Sequence, residues 1–136
     1  MTYPIHEIPG LGDAARGRLK ALGIRTTEGL LEAAKNVRGR KRLAEETGVD
    51  EKCILGWANA ADRMRIKGVG ADYASLLQAA GVDTVKELKY RNPAKLAKAM
   101  ADANAKRKLA RVLPSGKAVE RWIEEAKRLQ LKITYR

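Results

Sequence analysis

Apolar residues recur with a helical period over most of the chain. The clearest stripe runs through Ala118, Val119, Trp122, Ile123, Ala126 and Leu129, a spacing that places them on one helical face. Ser115, preceded by Pro114, stands where a side chain caps the start of that helix. A second stripe, Cys53, Ile54, Trp57, Ala61 and Met64, follows Asp50 as its cap. On this pattern Trp57 and Trp122 belong to the core, and Cys53 is a small core residue. Gly23 and Gly81 read as residues just past helix ends, where positive φ is needed. Thr26 or Thr27, and Thr84, read as caps of the helices that follow. Strand-like alternation is nearly absent, and only Leu131 to Tyr135 reads as a short extended tail. The pattern predicts an all-α fold of roughly eight to ten short helices.

The same unit occurs twice. Ile8-Pro9-Gly10-Leu11-Gly12 lies over Ile66-Lys67-Gly68-Val69-Gly70 at an offset of 58. That offset also carries Leu19 onto Leu77, Gly23-Ile24 onto Gly81-Val82, Thr26 onto Thr84 and Leu30 onto Leu88. Further on the offset becomes 65, an insertion of seven residues in the second copy. In that register Asp50 falls on Ser115, Ile54 on Val119, Trp57 on Trp122 and Met64 on Leu129. The division is therefore 1–64 and 65–136. Each half is marginal alone at this size, so the two are expected to pack into one compact body.

The strongest local motif is Ile66-Lys67-Gly68-Val69-Gly70-Ala71-Asp72-Tyr73-Ala74-Ser75-Leu76-Leu77, followed by Gly81-Val82. It resembles the helix-hairpin-helix pattern. The two glycines permit a tight turn between antiparallel helices, Val69 plugs the gap between them, and small Ala74 lets them approach. Such a hairpin leaves backbone N–H groups outward at the start of its second helix, which suits a phosphate. The resemblance implies that Lys67, Gly68, Val69, Gly70 and Ala71 grip nucleic-acid backbone without reading sequence. The first copy matches less well. Gly10 and Gly12 fit, but Arg16 stands where the second copy has Ala74, and Pro9 replaces Lys67. A structural role is favoured for that hairpin, with Arg16 as an outward phosphate contact the other reading. Thr47-Gly48-Val49-Asp50 and Val112-Leu113-Pro114-Ser115 read as a degenerate second hairpin in each copy.

This pairing is similar to the tandem helix-hairpin-helix domains of DNA repair proteins and of the RNA polymerase α C-terminal region. Over nearly the whole chain the pattern also resembles a bacterial family of duplicated helix-hairpin-helix units known only as a domain of unknown function. Its hallmarks here are the glycine hairpins, the Ala60-Ala61-Asp62-Arg63-Met64-Arg65-Ile66 lead-in and the paired Trp helices. The resemblance implies a fold and no activity.

Charge sharpens the expectation of a polyanion partner. The net charge is +12, with 12 basic and 9 acidic side chains in residues 1–65 against 16 and 7 in residues 66–136. Three basic clusters stand out: Arg38, Arg40, Lys41 and Arg42; then Lys86, Lys89, Arg91, Lys95 and Lys98; then Lys106, Arg107, Lys108 and Arg111. Singly such a cluster is a solvated face; together they suit a phosphate-backbone surface. Asp13 and Asp72, in the first turns after the hairpins, suit the helix dipole but repel a phosphate. Phe is absent and the tyrosines are scattered, so a stacking platform for single strands is not expected. Duplex DNA is the expected partner, and RNA stays open. The alternative is a protein-interaction adaptor, or an accessory subunit of a DNA-processing complex, docking an acidic partner.

Other chemistry finds no support in the pattern. A single cysteine, Cys53, forms no internal disulfide or multi-cysteine metal site. His6 is the one histidine and has no catalytic partner by sequence. Phosphate loops and dinucleotide fingerprints are missing. No enzyme, cofactor or metal is expected. Without a secretory signal or an apolar run of roughly 20 residues, the expected compartment is the cytoplasm, with no membrane partner.

Overall fold

A computed structural model describes residues 2–136. After a short 3-10 turn at Ile5–Glu7, the chain forms α1 (Asp13–Ala21), α2 (Thr27–Ala34), α3 (Val37–Thr47) and α4 (Glu51–Arg63). It continues through α5 (Ala71–Ala79), α6 (Val85–Leu88), α7 (Pro93–Arg107) and α8 (Gly116–Arg128). The fold is all-α: among the described residues there is no strand, and a lone bridge joins Pro4 to Thr26.

Local chemistry sets most helix ends. Side-chain oxygens of Thr26, Asn36, Asp50, Asn92 and Ser115 accept first-turn N–H groups of α2, α3, α4, α7 and α8, which offsets the donors a helix start leaves unpaired. Gly23 and Gly81 follow α1 and α5 at φ 83° and 95°, as their pattern requires. Thr84 differs from its expected role. Its hydroxyl donates to the Glu87 carboxylate, and α6 takes its cap from elsewhere: Asp62 Oδ2 accepts the Val85 N–H at 2.8 Å.

One hydrophobic core runs from Ile5 to Ala126 through both halves of the chain. α4 packs on α2 and α3, α8 on α7 and α6, and α5 on both α4 and α7. On α8, Val119, Trp122, Ile123 and Ala126 are buried, each large side chain contributing about 1.5–3 kcal/mol. Trp57 is only half-buried against that core. Cys53 corrects its expectation: it is exposed. It lies one residue before buried Ile54 in the first turn of α4, and a helical step of about 100° carries it off the core face. The Leu131–Tyr135 tail forms no strand. It is bonded to the α2–α3 junction instead, with Thr134 N–H donating to the Lys35 carbonyl at 2.7 Å and Val37 N–H to the Arg136 carbonyl at 3.1 Å.

Two registers relate the halves. α1 and α5 are both nine residues long and begin 58 residues apart; α4 and α8 are both thirteen and begin 65 apart. The additional residues fall in α7 and the segment after it. There Lys108 takes a left-handed conformation at φ 48°, the helix end that Gly48 makes after α3 at φ 73°.

Candidate nucleic-acid interface

Two anchors fix the turn between α4 and α5. Ile66 and Val69 are fully buried, and Val69 N–H donates to the Ile66 carbonyl at 3.1 Å. The second anchor is the Asp62-Arg63 pair. Asp62 accepts from Arg65 Nη1 at 2.7 Å with one oxygen and from the Val85 N–H with the other. Arg63 is 2% exposed. Its Nε donates to the Ala74 carbonyl at 2.9 Å and its Nη1 to the Asp83 carbonyl at 2.8 Å, so one side chain ties α4 to α5 and to the start of α6. Burial pushes the Arg63 guanidinium down to about 10, against the pull of Asp83 and Asp62. The hallmark lead-in thus has a physical role that spacing alone does not reveal.

Gly68 is at φ 91°, where a side chain is strained. Gly70 is extended and caps α5 without a side-chain hydrogen bond. The first intrahelical bond of α5 is Ala74 N–H to the Gly70 carbonyl at 2.9 Å, so the N–H groups of Ala71, Asp72 and Tyr73 find no acceptor among the described residues. The first glycine turn has the same build. Leu11 N–H donates to the Ile8 carbonyl, Gly10 is at φ 81°, and Gly12 is an extended cap without a side-chain bond. Asp13, Ala14 and Ala15 N–H groups likewise have no acceptor among the described residues. The helices that follow the two Gly-apolar-Gly turns therefore differ from the five with side-chain caps: each presents three backbone donors and the positive end of a helix dipole.

The segment after α7 lies across the second turn. Tyr73 Oη donates to the Val112 carbonyl at 2.9 Å, and the Tyr73 ring contacts Trp122 at 5.4 Å between centroids. The Asn104 side chain brackets Ala110, accepting its N–H at 2.9 Å and donating to its carbonyl at 3.0 Å. This places exposed Arg111 beside Gly68, Gly70, Ala71 and Asp72, around a depression of about 440 Å³. Lys108 and Arg111 border a second depression that also reaches Asp72. The first turn has no counterpart of the tether, because Ala15 stands 58 residues before Tyr73.

The model of one family, described as Domain of unknown function (DUF4332), matches residues 9–129, from the first glycine turn to the end of α8. The chain belongs to the DUF4332 family. No curated protein and no solved structure matches it.

In this DUF4332 chain the basic clusters separate into different environments. Arg38, Lys41 and Arg42 are exposed and line a depression of about 860 Å³ with Glu45 and Arg136. Arg40 departs from its cluster. It is 5% exposed, its Nη1 donates to the Ala34 carbonyl at 2.9 Å and its Nη2 to the Thr134 carbonyl at 2.6 Å. Burial lowers its basicity, and its guanidinium is spent holding the C-terminal segment on the α2–α3 junction. Lys86 is exposed, whereas Lys89 and Arg91 are half-buried. Lys89 Nζ lies 5.1 Å from the centre of the Tyr90 ring, and Arg91 Nη2 donates to the Ala80 carbonyl at 3.3 Å. Lys67, Lys106, Arg107 and Lys108 are exposed. Arg16 is half-buried, and Asp72 remains exposed on the first turn of α5. Among the described residues no helix is long and apolar enough to cross a membrane.

Proposed function

We propose that this DUF4332 chain is a non-sequence-specific duplex-DNA-binding module, made of two helix-hairpin-helix units at 1–64 and 65–136, that grips backbone phosphates and catalyses nothing itself. The observation that carries this reading is the pair of glycine-capped helix starts. Each has three N–H groups without an acceptor among the described residues, while the starts of the six other α-helices are met by side-chain oxygens. Equal helix lengths at the 58- and 65-residue offsets support the duplication. The second turn is the stronger grip, because Arg111 and Lys108 stand beside it. Arg38, Lys41 and Arg42 add a separate basic surface. Such contacts supply affinity without sequence information.

The test is fluorescence anisotropy with a labelled duplex of about 20 base pairs over a salt series. Ala71→Pro removes one donor at a position where proline fits the first helical turn, with extended Gly70 before it. Binding with a steep salt slope, weakened severalfold in Ala71→Pro, is the expected result. Arg111→Ala is expected to flatten the slope by about one phosphate contact. Absence of duplex binding at low salt refutes the reading. A protein-contact module then comes first, favoured by the exposed Val112-Leu113 pair beside the same turn. The same salt series with an RNA duplex decides whether the cytoplasmic partner is DNA or RNA.

A further inference from the structure

Trp122 is 3% exposed, yet its indole N–H has no acceptor among the described residues and is not walled off from solvent. It sits against the second glycine turn: a Cβ on Gly68 would stand 3.4 Å from Nε1. Between the turn and α8 is a depression of about 1000 Å³, bordered by Lys67, Gly68, Tyr73, Trp122, Glu125 and Arg128. A second donor stands at the same place. Lys67 N–H, at the tip of the turn, donates to both carboxylate oxygens of Glu125, at 3.2 and 3.4 Å. Those distances are longer than a well-formed charged bond. Glu125 follows Trp122 by three residues on α8, so the two share a face. The chain's own carboxylate thus rests where the turn offers a donor, next to an indole N–H left unused. Of the other carboxylates bordering the depression, Glu124 is paired with Lys127 at 3.0 Å, and Glu120 is exposed.

We propose that this notch is an oxyanion site with Glu125 as its internal occupant, and that a nucleic-acid phosphate displaces Glu125 to take the Lys67 and Trp122 N–H groups. The assignment rests on the phosphate-gripping reading above and adds a gate to it. An internal carboxylate competes at a high effective concentration, so it attenuates binding at the second turn. Removing its charge opens the site.

Two measurements test this separately from that reading. The first follows the Trp122 indole N–H by ¹⁵N NMR in a Trp57→Phe background, titrated with inorganic phosphate and then with duplex. The resonance is expected to move with phosphate, and at several-fold lower concentration in Glu125→Gln. The second compares duplex affinity of Glu125→Gln with that of Glu124→Gln, which changes net charge equally. Glu125→Gln is expected to bind at least about threefold more tightly than the control, beyond the shared charge effect. An indole resonance unmoved by phosphate in both proteins overturns the proposal, as do equal affinities of the two variants. A resonance that moves with a glutamate-rich peptide but not with phosphate assigns the notch to an acidic protein and overturns the phosphate assignment. Movement with phosphate in a protein that binds no duplex keeps the oxyanion site and sinks only the nucleic-acid reading.

Discussion

Replacing Asp62 by alanine should loosen the second turn by an amount that can be worked from its contacts. Asp62 is 3% exposed. One carboxylate oxygen accepts the Val85 N–H at 2.8 Å and serves as the cap of α6, a contact worth about 1 kcal/mol. The other accepts Arg65 Nη1 at 2.7 Å, with the two side chains 4% and 14% exposed. Solvent screening is small there, and a hydrogen bond between charged groups contributes about 1.5–3 kcal/mol. Asp62 also offsets part of the burial cost of Arg63. Asp62→Ala is therefore expected to cost about 3 kcal/mol. Asp62→Asn keeps an oxygen for Val85 but turns its amide NH2 toward the Arg65 donor, so it loses the Arg65 bond along with the charge, for about 2 kcal/mol. Urea unfolding followed by tryptophan fluorescence reads both. With a slope of about 2 kcal/mol per molar, the alanine variant shifts the midpoint down by about 1.5 M and the asparagine variant by about 1 M. An alanine variant within about 0.5 kcal/mol of the parent, or equal effects of the two substitutions, would refute the reasoning.

Three further outcomes follow from particular residues. The folded chain holds the Arg63 proton less tightly than the unfolded chain, so burying the charge is a full cost at neutral pH and eases only as pH rises past about 10. The stability gap between the parent and Arg63→Met is accordingly expected to stay flat between about pH 6 and 8; a gap that changes across that window, measured by chemical denaturation, contradicts the assignment. A Cβ on Gly39 would stand 2.1 Å from the backbone carbonyl oxygen of Ala33. Gly39→Ala is expected to destabilise by about 3 kcal/mol through forced separation of α2 and α3, and an unshifted melting temperature would dismiss that close approach. Exposed Cys53 is expected to react stoichiometrically with a thiol reagent in the native protein, whereas reaction only on unfolding would return it to the core.

Local rules decided the elements. Thr26, Asp50 and Ser115 cap the helices their positions mark, Gly23 and Gly81 take positive φ, and the α8 stripe is buried. These depend on hydrogen bonds and periodicity within a few residues, so the all-α fold and the two glycine turns were legible in the chain itself. Only tertiary packing decided the environment of the charges. Arg40 belongs by sequence to a basic cluster, yet carbonyls 6 and 94 residues away draw it inward. Arg63 is buried by acceptors 11 and 20 residues away, and Glu125 reaches a turn 58 residues before it. Arg111 stands beside that turn because Tyr73 tethers the segment carrying it. A charged side chain's cost or use is set by which dipoles and charges surround it and how much water remains. That environment is assembled from distant parts of the chain, so it exists only once the chain has folded.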